Sequence, residues 1–399
     1  MLRRIEISTL CFAFSFSVLL IILIRYTDNV NYLPFIGRNV NLIEEIQLQE
    51  SILTNYDGSP NIEKLLERTR REIKSELRNY NFTSSGVNRL EDLLLESGGQ
   101  PKRSVIISSW RSGSTFLGQI LNVMPANYYH YEPFFEHKLQ ISGPPLADKA
   151  SKMVNNLLKC NYVDMEDYFE YRKRDLDQFT HNTRLWNICK HKLELCYDAD
   201  IMNKICKLFP FQSMKLVRYR LRLVQNILED HQLNIRVVLL IRDPRGVLQS
   251  RRHLDFCQKA PDCREPERLC ADMVNDYVAA KQLMLDYPGR LKIVRYEELA
   301  FNPKGETLEL YKFLKLGGLQ SVEKFLYSHT NVKIAGVTST YRITRDIPFK
   351  WKHLLDFKYV AKIQMACKEA MSLWGYRKAE NATHMKSIEF YPVDQYVIV

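Results

Sequence analysis

The sequence predicts an α/β fold in which a central parallel β-sheet is flanked by helices. Four short apolar segments have the length and composition of buried strands, and helical patterns follow them; the four segments are residues 104–109, 214–217, 236–241 and 291–294. Strands that alternate with helices imply a parallel, doubly wound sheet. The chain has 399 residues, of which 46% are hydrophobic, so it is long enough to bury a full core.

A membrane anchor is predicted near the N-terminus. Residues 7–24 form an apolar run that follows Arg3 and Arg4 and precedes Arg25, and its length is close to the minimum of about 18 residues that spans hydrocarbon. No small-x-small cleavage site follows the run, which favours a signal anchor over a cleaved signal peptide. We expect residues 1–6 to form a cytoplasmic tail and the chain after Arg25 to lie in the lumen.

Residues 25–100 are polar and rich in charge, and we expect them to form a lumenal stem with a helix over residues 62–78. The second half of this segment is almost equally compatible with an ordinary helical face of the main domain. That domain is expected over residues 101–399 as one unit.

The cysteines favour disulfides over a metal site. Of nine cysteines, Cys11 lies in the apolar run; an even number remains, namely Cys160, Cys189, Cys196, Cys206, Cys257, Cys263, Cys270 and Cys367. No Cys-x-x-Cys pair suggests zinc. The spacing of the cysteines does not determine which of them pair in disulfides. We expect Cys257, Cys263 and Cys270 to cross-link one loop region. Glycosylation sequons at Asn81 and Asn381 agree with a secretory location.

The net charge of +11 favours anionic ligands. Lysines and arginines are spread among aspartates and glutamates rather than gathered in one stripe, so nucleic acid is not an expected partner.

The loop at residues 109–115 has the composition of an anion site. It lies between a predicted strand and a predicted helix, where backbone N–H groups and the helix dipole attract negative charge. Gly113 allows close approach, Arg111 adds a planar cation, and three hydroxyls add donors: Ser112, Ser114 and Thr115. Ser114 stands where a Walker A loop has lysine. A serine-rich turn that merely caps a helix is the alternative interpretation.

A second basic segment follows another predicted strand. Residues 242–251 begin with Arg242 at the strand end, and Pro244 suits the first turn of a helix. Arg242 and Ser250 share a helix face only if the helix begins near Pro244. Two basic sites that bear hydroxyls, each at a strand end, are not explained by helix capping alone.

These motifs resemble those of the Golgi carbohydrate sulfotransferases, specifically the branch that modifies the 6-hydroxyl of galactose, N-acetylglucosamine or N-acetylgalactosamine. Residues 111–119 are similar to that family's 5′-phosphosulfate loop, and residues 242–251 to its 3′-phosphate segment. Further similar motifs follow in the family's order between about residues 104 and 376, namely residues 131–133, 215–218, 294–300, 339–342, 351–352 and 374–376, with Cys367 before the last.

The resemblance implies a P-loop-like sulfotransferase domain in the Golgi lumen that uses 3′-phosphoadenosine-5′-phosphosulfate (PAPS) as donor and needs no metal. It implies donor contacts from Ser109, Trp110, Arg111, Ser112, Gly113, Ser114, Thr115 and Phe116, and from Arg242 and Ser250. The implied acceptor is a glycan or proteoglycan, and a protein-tyrosine or heparan-type acceptor is the alternative. Which sugar is modified, and whether the chain forms a homodimer, stays open.

Glu132 is the expected catalytic base, and Arg111 is expected to stabilise the charge of the transferring group. His130 is the alternative base. Lys215 and Arg218 are candidates for lining the donor or an acidic acceptor. Lys352 departs from the family's Trp-Arg pattern, so its role is open.

Two other functions remain compatible with the sequence. A lumenal kinase would share a phosphate loop but would need Mg²⁺. An inactive glycan-binding relative would keep the fold and the basic surface, but it would be free to lose residues such as Arg111, Glu132, Arg242 and Ser250, which this chain retains.

Overall fold

The computed structural model describes residues 61–135, 141, 143–330 and 343–398. Its sheet has five parallel strands in the order β2-β3-β1-β4-β5. The strands are β1 (Lys102–Ser108), β2 (Asn127–Tyr131), β3 (Phe211–Leu216), β4 (Ile235–Ile241) and β5 (Leu291–Arg295). This arrangement confirms the predicted α/β class with a central parallel sheet.

Helices surround the sheet and connect its strands. Those before β4 are α1 (Ile62–Glu76), α2 (Ser114–Asn122), α3 (Leu146–Leu158), α4 (Glu166–Arg174), α5 (Asp177–Thr180), α6 (Thr183–Cys189), α7 (Ala199–Cys206) and α8 (Gln225–Leu228). Those after β4 are α9 (Pro244–Arg251), α10 (Asp255–Gln258), α11 (Pro261–Arg264), α12 (Pro266–Asp286), α13 (Tyr296–Phe301), α14 (Pro303–Leu314), α15 (Leu319–Thr330), α16 (Trp351–Leu354), α17 (Phe357–Ala366), α18 (Lys368–Leu373) and α19 (Ala382–Lys386).

The central strands are buried because helices cover both faces of the sheet. In β4 every residue except Arg236 is buried, which accounts for its nearly continuous aliphatic sequence. On one face, Ile106 and Val238 pack with Leu117 of α2 and Leu310 of α14 in the same core cluster. This packing fixes the loops at the carboxyl ends of β1 and β4.

Strand β2 was not among the four predicted strands, although the other four correspond to the predicted segments. Its sequence is Asn-Tyr-Tyr-His-Tyr, which contains no aliphatic residue, and it forms one edge of the sheet beside β3. Aromatic residues favour strands as β-branched ones do. A search for aliphatic runs therefore missed it.

The chain divides into two compact units, Met1–Arg68 and Thr69–Val399. The predicted tail at residues 1–6 and anchor at residues 7–24 lie outside the described residues. The helix predicted over residues 62–78 is present as α1, and residues 69–100 of the predicted stem belong to the unit that holds the sheet. Within the described part of the chain, no helix combines the length and apolar character that a membrane crossing needs.

All eight cysteines outside the predicted anchor form disulfides, as predicted. The pairs are Cys160–Cys206, Cys189–Cys196, Cys257–Cys263 and Cys270–Cys367. Cys257 and Cys263 staple a local loop, but the expectation that Cys270 would join them was wrong. Cys270 lies in α12 and pairs with a cysteine 97 residues further along the chain.

Candidate functional site

The loop between β1 and α2 is shaped by Gly113, the N-cap of α2. Gly113 has a φ of 92°, in the left-handed region, and a Cβ atom there would overlap the ring of Tyr296. Ser109 and Ser112 share a hydrogen bond of 2.7 Å between their Oγ atoms, which holds the start of the loop. Because the first N–H groups of α2 have no intrahelical acceptor, the loop ends at an anion-attracting helix terminus.

The structure brings the two predicted phosphate segments together. Arg111 donates from Nε to Ser250 Oγ at 3.0 Å, and Arg242 donates from Nη1 to the backbone carbonyl of Arg111 at 2.8 Å. The two segments therefore form one continuous polar surface at the carboxyl ends of β1 and β4.

Arg242 is a buried cation at this surface. Its side chain is buried, and its guanidinium lies 4.4 Å from the centroid of the Tyr296 ring. Its Nε–H has no hydrogen-bond partner among the described residues. A buried donor without a partner is rare in folded proteins, and an anionic oxygen would satisfy it.

Helix α9 holds Arg242 in place. The helix begins at Pro244, as the predicted placement of Arg242 and Ser250 required. Asp243 caps it through a bond of 2.9 Å from the Arg245 N–H and forms a fully buried ion pair with the Arg245 side chain at 2.7 Å. The N–H of Asp243 in turn donates to Glu297 Oε1 at 3.0 Å.

Glu132 is a buried carboxylate that contacts two cations. It directly follows β2, has a left-handed φ of 40°, and lies 2.6 Å from Lys215 Nζ and 2.6 Å from Arg218 Nη1. Burial alone would raise the pKa of Glu132, but the charges of Lys215 and Arg218 outweigh this effect and lower the pKa. The side chain is therefore ionised at neutral pH, in the form that accepts a proton.

Lys215 connects Glu132 to the first loop. Its Nζ lies 3.4 Å from Thr115 Oγ1 and 3.7 Å from the centroid of the Tyr131 ring. The register of β2 against β3 causes this arrangement, because Tyr131 pairs with Lys215 and the N–H of Glu132 donates to the Lys215 carbonyl at 3.1 Å. Glu132, Lys215 and Thr115 thus form a chain of polar contacts that reaches α2.

Trp110 lies near the start of the loop, and Phe116 lies in the first turn of α2. The Trp110 carbonyl accepts hydrogen bonds of 3.0 and 2.9 Å from Nε and Nη2 of Arg251, and its ring is buried beside Arg218. The Phe116 ring stacks on Phe325 in the core, with 6.1 Å between the ring centroids. Of Phe116, only the backbone amide in the first turn of α2 remains for a ligand.

The structure shows the environments of His130 and Lys352, two residues whose roles the sequence left open. Burial, and after it the charge of Arg172, lower the pKa of His130 to about 3, so His130 is a weak proton acceptor. Lys352 donates from Nζ to the carbonyls of Ser387 and Phe390, both at 2.8 Å. Lys352 therefore holds the C-terminal segment through its backbone. This contact is a structural role for a residue whose role the sequence left open.

One residue of this region was missed by sequence reasoning. Tyr296 touches both Gly113 and Arg242, yet it was noted only as part of a longer motif after β5. Its position directly after a strand was the signal that could have indicated it. Among the residues described, no group of three or more His, Cys, Asp or Glu side chains is placed to hold a metal ion.

Comparisons with known proteins agree with this geometry. The sulfotransferase domain family matches residues 101–375 of the chain. Carbohydrate sulfotransferase 4 of Mus musculus is 28% identical over 324 residues, which cover 70% of this chain and 83% of that protein. Carbohydrate sulfotransferase 3 of Homo sapiens is 26% identical over 331 residues, which cover 71% and 69%. The solved mouse sulfotransferase SULT7A1 complexed with PAP aligns over 73% of this chain and 91% of its own, but with 11% identity and a TM-score of 0.35 it supports no conclusion here.

Proposed function

This chain belongs to the sulfotransferase family, whose domain covers residues 101–375, and we propose that it is a carbohydrate 6-O-sulfotransferase. In this proposal it moves a sulfuryl group from PAPS to a hydroxyl of galactose, N-acetylglucosamine or N-acetylgalactosamine. The observation that carries the proposal is the contact between Arg111 and Ser250, which joins the two predicted anion-binding segments into one surface.

The donor fits these segments by its charge. The first turn of α2, with the hydroxyls of Ser114 and Thr115, would hold the 5′-phosphosulfate. Arg242 and Ser250 would hold the 3′-phosphate, and the buried, unpartnered Nε–H of Arg242 supports this assignment. PAPS carries phosphates at both ends of its ribose, so one donor molecule can use both segments.

The transfer needs a leaving group, a nucleophile and cations. The bond between sulfur and the bridging phosphate oxygen breaks, a bond from the sugar oxygen to sulfur forms, and 3′-phosphoadenosine 5′-phosphate (PAP) leaves with the electron pair. Arg111 belongs to the first loop, Lys215 contacts Thr115 of that loop, and both would offset charge on the sulfuryl and bridging oxygens. Neither cation needs to release a proton for this role.

Glu132 would take the proton of the attacking hydroxyl. Its link to Thr115 through Lys215 supports this role, because the link connects the carboxylate to the loop proposed to hold the sulfuryl group. The same cations that keep Glu132 ionised also reduce its basicity, so proton transfer would accompany bond formation to sulfur rather than precede it.

A carbohydrate acceptor is favoured by the relatives, since the similar proteins of mouse and human are named carbohydrate sulfotransferases.

We extend the proposal to a single-pass type II protein of the Golgi membrane, anchored by residues 7–24. The two sequon residues, Asn81 and Asn381, are exposed, as glycosylation in the lumen requires. Protease protection of the full chain in sealed microsomes, together with a mass shift on enzymatic deglycosylation, tests this topology.

The acceptor class can be tested with the full-length chain in detergent. We expect it to transfer label from radiolabelled PAPS to the 6-hydroxyl of at least one of three acceptors: keratan-type, chondroitin-type or N-acetylglucosamine-terminated glycans. Glu132→Gln serves as the inactive control. Full activity in the presence of EDTA is expected, whereas a kinase of the same fold would lose activity and would use labelled ATP. Absence of label in every glycan would refute the proposal.

A further inference from the structure

A buried pocket separate from the two donor segments lies between β2 and helices α4 to α6. His130, Arg172 and Gln178 supply polar atoms to its lining, and Tyr168 and Phe179 supply aromatic faces. The three polar side chains are between 1% and 5% exposed. These polar groups are thus largely withheld from bulk solvent.

The polar atoms of this pocket lack partners. Arg172 Nε and Nη1, both amide atoms of Gln178 and His130 Nε2 have no hydrogen-bond partner among the described residues. Folded proteins satisfy the large majority of buried polar atoms. Three such side chains on one pocket indicate that a polar occupant belongs there.

The charge of the pocket indicates what kind of occupant fits. Among the described residues, Arg172 makes one hydrogen bond, from Nη2 to the carbonyl of Glu132, a neutral acceptor, at 3.2 Å. No carboxylate is among the described residues that line the pocket, and the Glu132 carboxylate is held by Lys215 and Arg218. The Tyr168 ring, 4.8 Å from the guanidinium, offsets only part of the charge. A buried charge without a counter-charge is costly.

His130 does not change the net charge of the pocket. Burial and the nearby Arg172 lower the pKa of His130 to about 3, so the ring is neutral at physiological pH. Arg172 is then the charged group among the described residues of the pocket wall. A water molecule would satisfy its N–H groups without neutralising it. An anion would do both.

We propose that this pocket binds a small monovalent inorganic anion, such as chloride, held by the N–H groups of Arg172 and Gln178. The small volume of the pocket excludes a sugar or a nucleotide. The site goes beyond the proposed function, because it uses none of the residues assigned to the donor. It neutralises the arginine that holds the backbone of Glu132.

Thermal unfolding of the full-length chain in detergent tests this proposal. Wild type is expected to unfold about 2 to 4 °C higher in sodium chloride or bromide than in sodium gluconate of equal ionic strength, with a saturable dependence on halide. Arg172→Gln should lose this increase. Arg174→Gln is the matched control, because Arg174 lies on the same helix and is exposed. Equal unfolding temperatures of wild type in halide and gluconate would overturn the proposal.

A second measurement covers the case in which Arg172→Gln does not fold. Crystals of the wild-type chain soaked in bromide should show an anomalous difference peak within hydrogen-bonding distance of Arg172 Nε or Nη1. Density in the pocket without an anomalous signal would identify water and would overturn the proposal.

Discussion

Arg111 Nε lies 3.0 Å from Ser250 Oγ, although 139 residues separate the two in the chain. The contact exists because β1 and β4 are neighbours in the sheet, so the loop after one strand meets the helix after the other. Parallel strands bring their carboxyl ends to one edge, where ligands of such folds bind. We therefore expect the proposed donor to contact both segments.

Removing the 3′-phosphate contacts should weaken donor binding. Arg242→Ala removes a buried cation and is expected to reduce affinity for PAP by about 10- to 100-fold, and Ser250→Ala by about 3- to 10-fold, in line with charged and neutral hydrogen bonds. Calorimetric titration of the full chain with PAP measures both. Arg252→Ala, at an exposed position just beyond α9, is the control that should bind normally. Unchanged affinity in Arg242→Ala would remove this segment from the donor site.

Glu132→Gln should separate binding from chemistry. The amide cannot accept the proton of the sugar hydroxyl, so we expect kcat to fall by about 10²- to 10⁴-fold while affinity for PAP stays within about threefold. Transfer assays and PAP titration on the same preparation distinguish the two effects. If transfer persists at the wild-type rate, another group is the base.

The ion pairs of Glu132 predict a change in pH dependence. Because Lys215 and Arg218 lower the pKa of Glu132, the acid limb of kcat should lie below the usual range of a glutamate. Arg218→Met removes one of the two cations, so the pKa should rise and the limb should move to higher pH. Residual kcat measured from about pH 4 to 8 checks this direction; a limb that moves to lower pH would contradict it.

Gly113→Ala should damage the donor loop. The left-handed φ of 92° and the ring of Tyr296 leave no room for a methyl group, so we expect a loss of about 1 to 3 kcal/mol in stability and at least tenfold weaker PAP binding. Gly143→Ala is the matched control, since a Cβ atom there meets nothing within 4 Å. Similar unfolding temperatures and PAP affinities of the two variants would show that the close approach is unimportant.

Glu297 predicts a stability that falls as pH rises. Burial, followed by the charge of Asp243, raises the pKa of Glu297 to about 7. The folded state then binds a proton that the unfolded state releases near pH 4.3, so Glu297 should destabilise the fold progressively between about pH 4.3 and 7. Glu297→Gln, a neutral isostere, should flatten this part of the stability profile. Denaturant unfolding at several pH values measures it, and an identical slope in the variant would contradict the assignment.

The fold class was predictable from the sequence because four strands are aliphatic runs that end in polar loops. The edge strand β2 was not predicted, because its residues are aromatic and polar rather than aliphatic. Their burial depends on packing against helices that are distant in the sequence. The start of α9 at Pro244 was predictable from local chemistry, since proline fits the first turn and Asp243 supplies the cap.

The contacts of the site were less predictable than its residues. Arg111 and Ser250 could be named from motifs, but their contact depends on the strand order, which local patterns do not determine. The pairing of Glu132 with Lys215 follows from the register of β2 against β3. Lys352 was an open question because its partners, the carbonyls of Ser387 and Phe390, are backbone atoms that no side-chain pattern reveals.

The most direct test of the account is the structure of the full chain with PAP bound. We predict that the 5′-phosphate lies at the first turn of α2, and that 3′-phosphate oxygens lie within hydrogen-bonding distance of Arg242 and Ser250. PAP bound elsewhere, or with its two phosphates exchanged between the segments, would contradict the assignment of the donor site.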